Sequence, residues 1–159
     1  MSSLTHIDSD GNSRMVEVGP KPVTNREALA EGFIELSSEA MSHLQSGTIA
    51  KGDVLMVAQL AGIQGAKRTA DLIPLCHPIP LTGVDVLFER TSEGVWARAT
   101  ARAQWRTGVE MEALTAVSTA LLTIYDMVKA VDKNMTIRSV RLLEKRGGRS
   151  GEWRRPPMD

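Results

Sequence analysis

Small apolar residues alternate with polar ones in the middle of the chain, which is the pattern of a strand with one buried face. Residues 95–105 carry valine or alanine at every second position and mostly polar residues or tryptophan between them. Residues 84–90 alternate more weakly, and the segment 91–94 between the two runs, Thr-Ser-Glu-Gly, is typical of a turn. The pattern therefore predicts an antiparallel β-hairpin.

A helix is predicted in the N-terminal third. Residues 24–27 place a hydroxyl three positions before a carboxylate, which is the form of a capping box. The apolar residues behind it, from Leu29 to Leu44, fall mostly at helical spacing, and Gly47 suits a helix end. The pattern predicts one helix from this box to the glycine, with Arg26 in its first turn.

Two further helices follow from the same period. Asp53 can cap a helix in which small residues recur at a spacing of four, including Ala58 and Gly62. Such a row fits close packing within the chain and equally fits a subunit interface. Residues 107–110 repeat the capping-box form and open a long apolar helix that ends near residue 131.

Short strands and a loop complete the predicted order. Weak alternation at 15–18 and apolar positions within 135–143 predict a first and a last strand, and three prolines make 71–80 a loop. The order β-α-α-β-β-α-β predicts an α+β fold, a ferredoxin-like antiparallel sheet covered by helices. We expect one domain over residues 1–159, with flexible arms at about 1–14 and 146–159.

Composition limits the classes of function. The formal net charge of the 159 residues is zero, so total charge does not point to nucleic acid. Basic residues crowd the C-terminal quarter, which fits a solvated tail or a polyanion site. Cys76 is the only cysteine, which excludes an intrachain disulfide and fits a reducing cytoplasm. We therefore expect a cytoplasmic protein that needs neither a membrane nor nucleic acid.

One histidine lies in the proline-bounded loop, where polar side chains often serve function. His77 can transfer protons near neutral pH, although a hydrogen bond within a turn would also explain it. Cys76 beside it gives poor chelating geometry, and no second ligand pair follows, so a structural zinc site is not indicated. His6 and His43 fit solvated surface positions.

Two carboxylates near the start of the long helix differ in their surroundings. Glu110 completes the predicted capping box with Thr107, whereas Glu112 lies among apolar residues and requires a cation or a polar ligand there. Residues two apart on a helix point about 200° apart. Glu110 and Glu112 are therefore not expected to share one site within a chain.

A third carboxylate lies farther along the same helix. Asp126 and Lys129 are neighbours on one face, and an ordinary surface ion pair would explain them. Apolar residues around them predict a largely buried helix, in which such a pair can serve acid–base chemistry. Lys51 and Arg26 are further cations that could hold phosphate, although no nucleotide-binding glycine fingerprint is present.

Helix geometry separates two of these carboxylates. Glu112 and Asp126 are fourteen residues apart, which corresponds to about 21 Å along a straight helix. Two antiparallel copies of the helix would bring such a pair together, because Glu112 of one chain would then approach Asp126 of the next. We therefore expect a site that combines Glu112 and His77 from one chain with Asp126 and Lys129 from another.

Two long stretches, GIQGAKRTADLIPLCHP and TGVEMEALTAVSTALLTIYDMVKAVDK, closely resemble those of the molybdenum cofactor biosynthesis protein C family, the cyclic pyranopterin monophosphate synthases. The resemblance extends to LTHID near the start and VRLLEKRGGRSGEW near the end. It implies a ferredoxin-like hexamer, built as a trimer of dimers, that converts 3′,8-cyclo-7,8-dihydro-GTP to cyclic pyranopterin monophosphate and releases diphosphate. It implies a lyase with no cofactor, although Mg²⁺ on the substrate phosphates is compatible with it.

The resemblance also assigns roles to individual residues. Asp126 would be the catalytic acid–base residue, and Lys51 and Lys129 essential cations. Independently of the resemblance, Arg26 and the lysines are cations that can neutralise the phosphates and the departing diphosphate. The precursor pocket would be lined by Leu75, Cys76, His77, Glu110, Met111 and Glu112.

Two other hypotheses stay open at this point. A metal-dependent phosphohydrolase could use His77 and the carboxylates, and it would release simple phosphate. A non-catalytic oligomeric binding module could hold RNA with its basic tail, and its binding would then depend strongly on salt.

Overall fold

Five antiparallel strands form a sheet, and the two longest helices pack on it. The structure is a computed structural model and describes residues 6–157. The elements in chain order are β1 (Thr24–Glu35), α1 (Ser38–Ser46), α2 (Val54–Lys67), α3 (Thr69–Leu72), β2 (Leu81–Arg90), β3 (Gly94–Trp105), α4 (Glu110–Val128), β4 (Thr136–Arg146) and β5 (Trp153–Arg154). The strand order is β2-β3-β1-β4-β5. The predicted α+β fold, with helices on an antiparallel sheet, is confirmed.

The central strand β1 occupies residues for which a helix was predicted, so that prediction is wrong. Its residues alternate in two rows, and the row containing Ala28, Ala30 and Ile34 is buried. The other row carries Glu27 and Glu31, which bind arginines of the neighbouring strands. Alanine and glutamate favour helices in isolation, but pairing with β3 on one side and β4 on the other decides the conformation here.

The ends of the helices show which of the predicted caps are formed. Ser37 caps α1 by accepting a hydrogen bond from the backbone N–H of Ala40, and Gly47 ends this helix in the left-handed conformation with φ 69°. Asp53 caps α2 as predicted, since its carboxylate accepts from the backbone N–H of Met56. The predicted capping box at the start of α4 is wrong, because the Thr107 hydroxyl donates to the Gly108 carbonyl instead.

The ends of the chain differ from the predicted pattern. The predicted strand at 15–18 is absent, and an isolated bridge joins Ile7 and Ser13 nearby. The predicted hairpin and the last strand are confirmed as β2–β3 and β4, and β5 adds a short edge strand in the tail. Part of the expected N-terminal arm, residues 1–5, lies outside the described residues.

Helices α2 and α4 pack closely within the chain. A Cβ at Gly62 would lie 3.0 Å from the Ala116 carbonyl oxygen, so the small-residue row serves intrachain packing. Helix α4 also contacts β1, β3 and β4, and its buried face includes Val117, Leu121 and Ile124. By length and composition alone α4 could cross a membrane, but half of that segment is buried, as expected of a core helix.

Candidate functional site

The proline-bounded loop and the first turn of α4 line a cavity of about 250 Å³, which we call the loop cavity. The loop follows α3, and α4 begins at Glu110, so both segments meet at one end of the α2–α4 pair. Six predicted site residues come together here, and they are Leu75, Cys76, His77, Glu110, Met111 and Glu112. The expectation that Glu110 and Glu112 would not share one site within a chain is wrong, because both line this cavity at the start of α4. The cavity also contains residues that sequence reasoning did not assign to a site, among them His6, Val16, Val18 and Lys21.

A backbone contact determines which nitrogen of His77 carries its proton. The Nε2 atom lies 2.7 Å from the carbonyl oxygen of Val16. A carbonyl oxygen only accepts hydrogen bonds, so Nε2–H must donate. In the neutral ring Nδ1 is then the acceptor nitrogen, which suits it to take up a proton from a bound molecule.

Glu112 is a buried carboxyl group whose environment opposes its ionisation. The residue is 4% exposed on the apolar side of the first turn of α4. The pKa of Glu112 is raised to about 7, chiefly by burial and to a smaller extent by the nearby Glu110 carboxylate, against a backbone hydrogen bond that lowers it. A carboxyl with a pKa near neutrality can both give and accept a proton at working pH. Its burial and raised pKa therefore support the expectation that Glu112 requires a polar ligand.

Cys76 is held as a neutral thiol. Burial and the Glu112 carboxylate both raise the pKa of its side chain. A thiol with a raised pKa is a poor nucleophile and a poor metal ligand. Cys76 therefore acts as part of the cavity wall.

A second cavity of about 550 Å³, here called the basic cavity, adjoins the first. The two cavities share Lys21, Thr107, Gly108 and Glu110 in their walls, so they lie side by side. The carboxylate of Glu110 lies directly over Gly108, where any larger residue would displace it. The basic cavity concentrates positive charge, and the cations in its wall are Lys21, Arg26, Arg106, Lys145 and Arg149.

Arg26 reaches this cavity from a strand and not from a helix. The expectation that Arg26 lies in the first turn of a helix is wrong, because it belongs to β1. Its guanidinium donates to the carbonyl oxygens of Trp105 and Arg106 at 3.4 and 3.3 Å. Gly148 lies against this guanidinium, so the glycines of the tail allow the chain to pass close to it. These contacts fix the cation at the wall of the basic cavity.

Lys51, Asp126 and Lys129 form a compact cluster at the far end of α4. The Lys51 Nζ atom lies 2.7 Å from Asp126 Oδ2 and 2.9 Å from the Asp126 carbonyl oxygen. The Lys129 Nζ atom lies 2.8 Å from Asp126 Oδ1. The sequence indicated the pair on α4, whereas Lys51 joins it from the turn that precedes α2.

The cluster is exposed, so the predicted burial of the Asp126–Lys129 pair is wrong. The Asp126 side chain is 56% exposed, because it lies on the outward face of α4 with Leu122, while Met127 and Val128 beside it are buried. Hydrogen bonds from Lys129 and Lys51 lower the pKa of Asp126 to about 2. The pKa of Lys129 is raised by its hydrogen bond to Asp126. The cluster therefore holds one carboxylate and two ammonium groups in their charged forms.

Within one chain the cluster and the loop cavity stay apart. Glu112 lies in the first turn of α4 and Asp126 in its last, which corresponds to about 21 Å along the axis. Neither cavity has a member of the cluster in its wall. Within residues 6–157, no three histidine, cysteine, aspartate or glutamate side chains come together as a candidate metal site.

Comparison with known proteins places these features in a family. The model of the MoaC family matches residues 15–148. The cyclic pyranopterin monophosphate synthase of Novosphingobium aromaticivorans is 56% identical over 154 residues, which cover 97% of this chain and 98% of the relative. The enzymes of that name from Chloroflexus aurantiacus and Thermomicrobium roseum are each 55% identical over 157 residues, with 98% of this chain and 96% and 95% of the relatives covered. The chain belongs to the MoaC family.

Proposed function

We propose that this protein is a cyclic pyranopterin monophosphate synthase, a lyase of molybdenum cofactor biosynthesis. It converts 3′,8-cyclo-7,8-dihydro-GTP to cyclic pyranopterin monophosphate and releases diphosphate. The observation that carries the proposal is the pair of adjoining cavities, one lined by His77 and Glu112 and the other by five cations. A purine-derived ring and its triphosphate require this combination of polar groups and positive charge. The names of the relatives over nearly the full chain support the same reaction.

The basic cavity accounts for the fate of the phosphates. Closing a cyclic phosphate forms a bond from a substrate hydroxyl to the first phosphorus and breaks the bond to the second phosphate. The departing diphosphate carries the negative charge, which the cations around Arg26 and Lys145 stabilise. Arg26 is suited to this role because its guanidinium is already fixed by two carbonyl oxygens. Any Mg²⁺ would accompany the substrate phosphates and belong to the substrate.

The loop cavity and the cluster supply groups of different basicity. Glu112, with a pKa of about 7, and Nδ1 of His77 can exchange protons with the ring. Asp126, with a pKa of about 2, stays a carboxylate at any working pH, so it keeps the two lysines in place and is only a weak proton acceptor. Ring opening and pyran closure need several proton transfers, for which groups of graded basicity are required.

The direct test is turnover of the authentic substrate. We expect the purified protein to form cyclic pyranopterin monophosphate and diphosphate in equal amounts, measured by chromatography and by a coupled diphosphate assay. Orthophosphate release that depends on added metal would instead support the phosphohydrolase. Salt-sensitive RNA binding without turnover would support the binding module.

We also propose that two copies complete each site. The separation of the cluster from the loop cavity leaves each chain with two half-sites, one at each end of α4. Apolar side chains lie exposed between these ends, with Met56 and Leu60 on α2 and Leu122 on α4 at 59%, 62% and 61% exposure. A two-fold axis over this surface would bury them and bring each half-site to its counterpart. Three such dimers would give the hexamer that the family resemblance implies, working in the cytoplasm.

Complementation between inactive variants tests the shared site. Glu112→Gln and Asp126→Asn chains, mixed after dissociation and reassembly, are expected to regain about a quarter of wild-type activity, since half of the dimers are mixed and each has one intact site. Each variant reassembled alone serves as the control and should stay inactive. A mixture that stays inactive despite verified subunit exchange would place the whole site within one chain.

A further inference from the structure

The segment of residues 6–18, here called the arm, has a local structure of its own. The Asp8 carboxylate accepts hydrogen bonds from the backbone N–H groups of Asp10 and Asn12 at 2.9 and 2.8 Å. Ile7 and Ser13 form a bridge, and the backbone N–H of Arg14 donates to the carbonyl oxygen of His6 at 2.9 Å. Side chains of this kind commonly stabilise tight turns in this way. The arm therefore has the conformation of a hairpin-like turn.

The arm lies against the loop cavity at both of its ends. His6 from its beginning and Val16 and Val18 from its end form part of the cavity wall. The Val16 carbonyl oxygen accepts the 2.7 Å hydrogen bond from Nε2 of His77. The turn closed by Asp8 brings the two ends of the arm together. His6 and the Val16 carbonyl therefore reach the cavity only while this turn is formed.

We propose that the arm completes the ring-binding cavity by supplying two groups to it. His6 is a substrate-contacting residue, and the backbone carbonyl of Val16 is a positioning group that keeps the proton of His77 on Nε2. The identity of the bound ring rests on the proposed function, whereas the link between the arm and His77 does not.

The chemistry of the two groups supports these roles. The His6 side chain is exposed at the cavity, so its ring nitrogens can donate to or accept from the polar edge of a bound ring. Without the Val16 carbonyl, a neutral imidazole in water distributes its proton between both nitrogens. With the proton fixed on Nε2, Nδ1 of His77 is free to accept a proton. The Nδ1–H tautomer, which could not accept one there, is then not populated in the resting site.

The spectroscopic test uses the ligand-free full chain labelled with ¹⁵N-histidine. His77 is expected to show the tautomer with the proton on Nε2 in the wild type. Asp8→Ala, which removes the side chain that closes the turn, is expected to shift His77 towards a mixture of tautomers. Asp10→Ala is the matched control, because it removes the same charge from the same turn while Asp10 takes part through its backbone N–H. A wild-type Nδ1–H tautomer, or no difference between Asp8→Ala and Asp10→Ala, would overturn the role of the arm in positioning.

The kinetic test addresses His6. His6→Ala is expected to lower kcat/KM about tenfold, mainly through KM, because a hydrogen bond to the substrate is lost. His6→Gln should recover most of the loss. His43→Ala, which alters a histidine of α1 that is hydrogen-bonded to Thr48, should match the wild type. Wild-type kinetics in His6→Ala would remove His6 from the site. Absence of turnover in the wild type would instead contradict the proposed function, and the tautomer measurement would still stand.

Discussion

Replacing Asp126 with asparagine is expected to lower kcat by at least about a hundredfold while leaving the protein folded. The two carboxylate oxygens of Asp126 each hold one lysine, at 2.7 Å for Lys51 and 2.8 Å for Lys129. An amide offers an N–H₂ group to one of these ammonium ions, so the variant loses the negative charge and one hydrogen-bond acceptor and repels a cation. Stability should change little, since exposed ion pairs contribute little to folding.

Steady-state kinetics and thermal unfolding measure the two parts of this expectation. Asp71→Asn is the matched control, because Asp71 is also an exposed aspartate that pairs with a basic residue, Arg68, on a helix end. The control should keep wild-type kcat and the wild-type melting temperature. Near-native turnover in Asp126→Asn would show that the cluster is an ordinary surface ion-pair network.

Glu112→Gln is expected to lower turnover by a similar factor and yet to stabilise the fold at alkaline pH. Burial raises the pKa of Glu112 from its usual 4.5 to about 7, so between these values the unfolded chain ionises while the folded chain stays protonated. The free energy of unfolding of the wild type therefore falls as pH rises through this window and levels off above it. At pH 8 the variant should be more stable by up to about 3 kcal/mol, with little difference near pH 4.5.

Urea unfolding at several pH values from 4.5 to 8 tests this linkage. Glu39→Gln, which alters an exposed glutamate in the first turn of α1, controls for the general effect of removing a carboxylate. If the difference between Glu112→Gln and the wild type were constant over this range, the buried carboxyl would not titrate as argued. Lower activity together with higher stability would mark Glu112 as a group retained for function.

Local sequence patterns predicted much of the fold, but the strand conformation of β1 depends on residues that are distant from it in sequence. Its alanines and glutamates alternate with period two, and the same residues also satisfy a helical spacing. Only the arginines that meet Glu27 and Glu31, such as Arg102 and Arg141, separate the two interpretations. Those arginines follow their glutamates by 75 and 110 positions, which no local window includes.

The candidate site was predictable where its residues are neighbours in sequence. The loop around His77 and the first turn of α4 were indicated by their motifs, and the structure brings them together in the loop cavity. The role of the arm was missed, because its link to His77 is a backbone carbonyl that leaves no trace in residue type. The exposure of Asp126 was missed because Leu122, beside it on α4, resembles a core residue in sequence while its side chain faces outward.

The central position of β1 also has a consequence for how the chain acquires its fold during synthesis. The strand leaves the ribosome early, but its hydrogen-bonding partners on both edges, β3 and β4, end near residues 105 and 146. Until the last of them emerges, β1 presents at least one unpaired edge that another nascent chain could pair with. Sheet formation therefore has a high contact order and completes only when nearly the whole chain has been made. The acidic side chains along β1 then have a second use before folding, because mutual repulsion between identical strands discourages their premature association.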